Sequence, residues 1–156
     1  MSARLRPMRE DEFASFAERS QAVYTADLIV NGRMAEAVAR RKAASDFGGL
    51  FPQGFDSDVE LRVVEDDAGS EVGHVVWGER EQHGARYAFL YDIEIRETER
   101  GRGFGRAAME LLEDEVRGRG YDRLQLNVFG GNERARTLYR SLGFEELSVQ
   151  MGKTLR

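Results

Sequence analysis

Cysteine is absent from this 156-residue chain, which excludes disulfides, thiolate metal sites and cysteine nucleophiles. Histidine is nearly absent: His74 and His83 are the only two, too few for a histidine-rich metal centre, so no metal is expected. Proline occurs only as Pro7 and Pro52, and there is no linker, internal repeat or low-complexity tract. At roughly 150 residues per domain, one domain spanning 1–156 is expected. No apolar run approaches the ~20 residues that cross a bilayer, and the polar start Met1-Ser2-Ala3-Arg4 lacks the pattern of a secretory signal. A cytoplasmic location is therefore expected. Lysine is scarce, with Lys42 and Lys153 the only two among 23 basic residues; 28 acidic residues leave a net charge of −5. That balance disfavours nucleic acid or an anionic membrane as partner and weakly favours cationic small molecules. Chemistry has to come from carboxylates, hydroxyls, backbone amides or a bound cofactor.

What remains is a globular composition, 41% hydrophobic and 33% charged. Ala3 to Met8 reads as a short edge strand. Helical spacing then begins at Arg9-Glu10-Asp11-Glu12 and runs to about Val30, where Asn31-Gly32 breaks it. A second helix is predicted from Met34 to about Ser45. The segment Phe47 to Phe55 carries three Phe and three Gly and reads either as a substrate-covering loop or as a loop tucked onto the core. From Val59 the period becomes two: Val59–Val64 and Val72–Trp77 flank a turn at 66–70, and Tyr87–Ile95 follows a second turn at Gln82-His83-Gly84. A helix over Gly105–Val116, a strand over Leu124–Phe129, a helix from Asn132 to Gly143 and a closing strand from Glu145 to Met151 complete an α/β order with a mixed sheet.

Arginine clusters once, where Arg100, Arg102 and Arg106 alternate with Gly101, Gly103 and Gly105 between a strand and a helix. Residues without a Cβ let a ligand approach the backbone, and successive N–H groups at a helix N-terminus cradle an anion, typically a phosphate. The turn lacks the Gly-Lys-Ser/Thr ending of a P-loop. Gly103-Phe-Gly105-Arg-Ala-Ala108 fits a dinucleotide fingerprint formally. However, Arg96 to Arg102 separate it from the strand, and only ~50 residues follow, too few for a doubly wound domain.

Arg100-x-x-Gly103-x-Gly105 resembles the acyl-CoA pyrophosphate loop of the GNAT superfamily of N-acetyltransferases. A second block at the right distance is similar to that family's other motif: a strand from Leu124, then Asn132-x-x-Ala135-x-x-Leu138-Tyr139, then Gly143-Phe144. The resemblance implies a mixed six- to seven-stranded sheet, splayed at a β-bulge near Glu94-Ile95, with helices on both faces. It implies acetyl-CoA as cosubstrate and a primary amine, on a small molecule or a peptide, as acceptor. Family members are frequently dimers, so a homodimer is a possible assembly.

Carried over residue by residue, the resemblance places Ile93 and Ile95 against the pantetheine arm, with the Ile95 amide as oxyanion donor. The pyrophosphate goes to the amides of Arg100, Gly101, Arg102, Gly103, Phe104, Gly105 and Arg106. Asn132 and Ala135 lie beside the cofactor, and Tyr139 is the general acid at the sulfur. Each side chain also has a plainer reading, Tyr139 as a core aromatic and Asn132 as a helix N-cap. The family fixes no general base. On the strand to Ile95 the acids are Asp92 and Glu94, two apart and hence on one face, where burial beside a like charge raises a pKa. Asp92 either serves there or bonds the neighbouring backbone, Asn127 on the next strand orients acceptor or water, and His74 reads as packed within its strand. A second reading of the same fold is an acyl-CoA-binding sensory module without catalysis.

Overall fold

The computed structural model describes residues 2–156. The chain opens with β1 (Arg4–Pro7) and a 3-10 turn at Glu10–Glu12, where the Glu12 carboxylate accepts the Arg9 amide at 2.9 Å and so starts the helix that follows. That helix, α1 (Phe13–Val30), buries Phe16 and Leu28 completely; α2 (Glu36–Leu50) buries Ala39 and Ala43. Next come β2 (Glu60–Glu65), β3 (Glu71–Gln82) and β4 (Ala85–Ile95), then α3 (Phe104–Gly118), β5 (Leu124–Leu126) and α4 (Glu133–Ser141). The turn between β3 and β4 has both central residues, His83 and Gly84, at positive φ (52° and 81°), the conformation whose twist matches a hairpin.

The five strands run in the order β1-β2-β3-β4-β5, antiparallel except for the parallel pair β4 and β5. On one face, Phe104, Ala108, Met109, Leu112 and Val116 of α3 pack on Val75, Trp77 and Leu90, with Ile93, Ile95, Tyr139 and Leu142 at the margin. On the other, Phe16 and Phe51 pack on Leu61, Val63 and Val76. The aromatic segment belongs to this second layer. Phe47 to Leu50 extend α2, and Phe51 lies with its ring 4.6 Å from Phe47 and 5.5 Å from Phe13, so the segment is tucked onto the core.

The bulge falls at Tyr91 and not near Glu94-Ile95. Val76 opposes Asp92 while Trp77 opposes Leu90, leaving Tyr91 as the extra residue. Adjacent side chains at a bulge turn to one face. Accordingly Tyr91 packs in the α1 layer, while Leu90 on one side and Ile93 and Ile95 on the other pack in the α3 layer. The sheet has five strands rather than six or seven. β5 ends at Leu126, short of the expected Phe129, and 145–151 forms no strand. Leu147, Val149 and Met151 have the alternation of a strand, but none lies beside them, and a ladder exists only where two strands meet.

One polar group holds the layers in register. The buried Arg62 of β2 donates through Nε to Glu115 of α3 at 2.8 Å, and the Trp77 indole donates to the other oxygen of the same carboxylate. Removing Glu115 leaves the Trp77 indole N–H and the Arg62 Nε without partners, while Arg62 keeps its ion pair with Glu60 at 3.0 Å and its bond to the Leu61 carbonyl. Glu115→Ala is expected to cost about 2 kcal/mol, read as a fall in the urea midpoint at unchanged slope.

Candidate active site

The hydrogen-bond phase of β4 decides what faces the gap beyond it. Arg96 donates to the Val72 carbonyl at 2.8 Å, so every second residue back along β4 bonds β3, and the intervening Ile93 and Ile95 turn their main-chain groups away from β3. On that side β5 pairs only with Ala88, Phe89 and Leu90. Past the bulge the two strands part, and the polar edges of Ile93 and Ile95 line a wedge. The Ile95 carbonyl is occupied by Arg100 Nε at 3.1 Å, which leaves the Ile95 amide as that residue's free group. β3 and β4 approach so closely here that a Cβ on Gly73 would stand 2.2 Å from the Glu94 carbonyl oxygen.

The wedge runs into the glycine-arginine turn. Gly101 and Gly103 have φ of 76° and 87°, values that favour glycine, and the space where their Cβ atoms would point is open. Arg100 N bonds Glu97 and Ala107 N bonds Gly103, but the six amides from Gly101 to Arg106 bond no acceptor among the described residues. They form a concave row on the N-terminus of the 15-residue α3. The three arginine side chains are each engaged: Arg100 on the Ile95 carbonyl, Arg102 on Glu99, and Arg106 on Ser141 Oγ at 2.6 Å. Of these only Arg102 meets a carboxylate, so Arg100 and Arg106 keep their charge beside the row of amides. Gly103→Ala forces a left-handed alanine at about 1–2 kcal/mol and is expected to weaken coenzyme A binding by roughly tenfold in a calorimetric titration.

α4 sits across the wedge. Asn132 caps it, its Oδ1 accepting the Ala135 amide at 3.2 Å, so the plainer reading of Asn132 holds and only its NH₂ group is free for a ligand. Tyr139 packs its ring 5.7 Å from Phe144, while its hydroxyl bonds none of the described residues. Burial, reinforced by the charges of Asp92 and Asp27, pushes that hydroxyl up to about 12. Asn127 lies just beyond β5, exposed on the wall of a cleft of about 2210 Å³ that also takes in Ile93, Ile95, Tyr139 and the glycine turn.

The two carboxylates part company. Asp92 Oδ2 is held by His74 Nε2 at 2.8 Å and by Ser20 Oγ at 2.9 Å, a bridge from β3 to α1 made by side chains rather than by the neighbouring backbone, which was one of the two readings of this residue. His74, 2% exposed and edge-on to the Phe16 ring at 4.8 Å, is the packed strand residue expected, with Asp92 as its polar partner. Glu94 lies opposite His74 in the register, and its Oε2 is buried without a hydrogen-bond partner. Burial pushes its pKa up and Asp92 adds to this, against the opposing pull of His74, Arg100 and Arg19. Ser20 was not foreseen, and neither were Tyr24, Asp27 and Asp46, which line the mouth of the same cleft. The Tyr24 hydroxyl donates to Asp46 at 2.8 Å. Nothing in the helical pattern sets these positions apart from other polar faces; only the crossing of α1 and α2 over the wedge does.

Comparison with known proteins agrees with this geometry. Residues 34–144 match the model of the acetyltransferase (GNAT) family. The uncharacterized N-acetyltransferases YycN and YdgE of Bacillus subtilis (strain 168) are each 30% identical, over 99% of this chain and 100% and 99% of their own lengths. The crystal structure of YycN superposes with a TM-score of 0.92 at 29% identity, covering 99% of both chains. An acetyltransferase structure from Pyrococcus furiosus shares the fold at 19% identity, with a TM-score of 0.75 and 99% of this chain covered. The family model over residues 34–144 and two relatives matched end to end agree, and the chain belongs to the GNAT acetyltransferase family.

Proposed function

We propose that the protein transfers the acetyl group of acetyl-CoA directly to a primary amine on a small molecule or a peptide. The observation that carries this is the continuity of two unpaired backbone features. The main-chain groups of Ile93 and the free amide of Ile95 suit an amide-bearing arm laid along β4 as an extra strand, and they lead to six unbonded amides suited to a pyrophosphate. Asn132 and Ala135 flank the same path. Acetyl-CoA supplies the activated thioester.

The amine has to lose a proton before it can attack the acetyl carbon. Glu94 suits that task, with an unpartnered oxygen and a pKa raised toward neutrality by burial. As the C–N bond forms, the Ile95 amide donates to the carbonyl oxygen, whose charge builds where no neighbouring strand competes for that N–H. When the C–S bond breaks, Tyr139 gives its proton to the departing sulfur; its raised pKa keeps it protonated and ready across the physiological range. Asp92 anchors α1 to the sheet through Ser20, and its charge, with that of Asp27, favours a cationic acceptor at the mouth, where Asp46 is paired with Lys42. Asn127 is free to orient that acceptor.

A screen that follows coenzyme A release from acetyl-CoA over polyamines, aminoglycosides, amino acids and basic peptides tests the proposal. Release that depends on one amine class is expected. Tight acetyl-CoA binding with no release across the whole panel would instead identify a sensory module.

A further inference from the structure

Back along β4 from Glu94, Tyr91 and Phe89 carry their rings side by side, with centroids 5.0 Å apart, on the wall of the same cleft. Gly78 of β3, opposite Phe89, makes room for this: a Cβ there would stand 3.2 Å from the Tyr91 ring. Arg80 of β3 lies over both rings, its guanidinium carbon 3.5 Å from the centre of Phe89 and 5.0 Å from that of Tyr91. Among the described residues its hydrogen bonding is limited to Nε, which donates to the Tyr91 hydroxyl at 3.3 Å, and no carboxylate reaches it. Its chain neighbours Glu79 and Glu81 fall on the opposite strand face, where Glu79 accepts from the Tyr121 hydroxyl at 2.7 Å and pairs with Arg86. The two Nη groups of Arg80 thus form a fork with nothing to hold. Stacking fixes the plane of that fork and leaves its donor edge open. A carboxylate can take it through two parallel bonds, with little rotamer freedom left to lose.

We propose that Arg80 binds a carboxylate of the acceptor, and that the acceptor is a short peptide held by its two ends. This rests on the transfer to an amine proposed above. The amine belongs at Glu94, five residues beyond Phe89 and three beyond Tyr91, so at ~3.3 Å per residue the fork lies ~10–17 Å from the base. An extended peptide of about three to five residues sets its terminal amine and terminal carboxylate that far apart, whereas a free amino acid cannot reach both. Charge is arranged the same way. Asp27 and Asp92 act at Tyr139, the reacting end, and Arg80 stands at the other, so the cleft is polarised to match a zwitterion.

The test is calorimetric titration of alanine oligomers of two to six residues, each as free acid and as C-terminal carboxamide, into the protein saturated with coenzyme A. The acid is expected to bind at least roughly tenfold more tightly than the amide, with the largest ratio at about three to five residues. Covering Phe89 needs only the apolar stem of the side chain, so Arg80→Met keeps that packing and removes the fork. This variant should hold its melting temperature and bring the acid down to the affinity of the amide. Equal affinity of the two forms, binding of neither, or a ratio that survives Arg80→Met would overturn the proposal. Coenzyme A release from acetyl-CoA, followed with the same peptides, tests the transfer separately. Peptides that bind through Arg80 and are never acetylated would overturn the transfer and leave the carboxylate site standing.

Discussion

Tyr139→Phe is expected to lower kcat by roughly 10²–10³-fold while changing the dissociation constant of acetyl-CoA by less than about twofold. The substitution removes one oxygen. The ring stays packed on Phe144, and because the hydroxyl bonds none of the described residues, its loss unbalances no internal hydrogen bond. What disappears is the proton donor for the leaving sulfur, which matters in the transition state and hardly at all in the ground state. Steady-state kinetics together with calorimetric titration separate the two quantities. An unchanged kcat would remove Tyr139 from the acid role and leave it a packing residue. The alkaline side of the pH profile carries a second expectation: with this hydroxyl pushed up to about 12, Tyr139 causes no loss of activity at the moderately alkaline pH where an ordinary tyrosine begins to ionise.

Glu94→Gln is expected to cost a similar 10²–10³-fold in kcat/KM, with the opposite effect on the fold. The carboxyl pKa is raised in the folded state, so the folded protein binds more protons than the unfolded chain between the two pKa values. Stability contributed by this group is present below the unfolded pKa and is lost as pH rises through the folded one. At neutral pH the ionised carboxylate therefore costs stability. An amide of the same shape relieves that cost, and Glu94→Gln should melt at or above the wild-type temperature at pH 7 while being much slower. For the wild type, kcat/KM should rise with pH through an apparent pKa above the ordinary glutamate value, and that ascending limb should be absent in the variant. A variant as active as the wild type would pass the role to a water chain, because Asp92 is already held by His74 and Ser20.

These assignments divide between what could be read along the chain and what could not. The glycine turn was legible because its chemistry is local. Positive φ at Gly101 and Gly103, a helix beginning at Phe104 and unbonded amides between them are properties of a few consecutive residues. The same holds for the Asn132 cap, where a side chain reaches three residues on. The bulge was misplaced by about three residues, because register is a relation between β3 and β4 and the alternation within β4 does not reveal which residue is doubled. The partners of the arginines were hidden for a similar reason. Their number in the turn is visible in sequence, but their partners at Ile95, Glu99 and Ser141 depend on how the turn folds back.

The carboxylate pair separates the two kinds of information most sharply. The chain by itself placed Asp92 and Glu94 on one face of an otherwise apolar strand, because spacing by two and hydrophobic composition are written in the order of residues. Which of them is tied down by neighbours depends on His74 from β3 and Ser20 from α1, residues 18 and 72 positions from Asp92 in the chain. Burial and pairing are sums over neighbours brought in by long-range packing, so the proton chemistry of this site was decided by the tertiary structure. The scarcities read first keep their weight: with no cysteine and two histidines, carboxylate, phenol and backbone amides are what the fold had to work with.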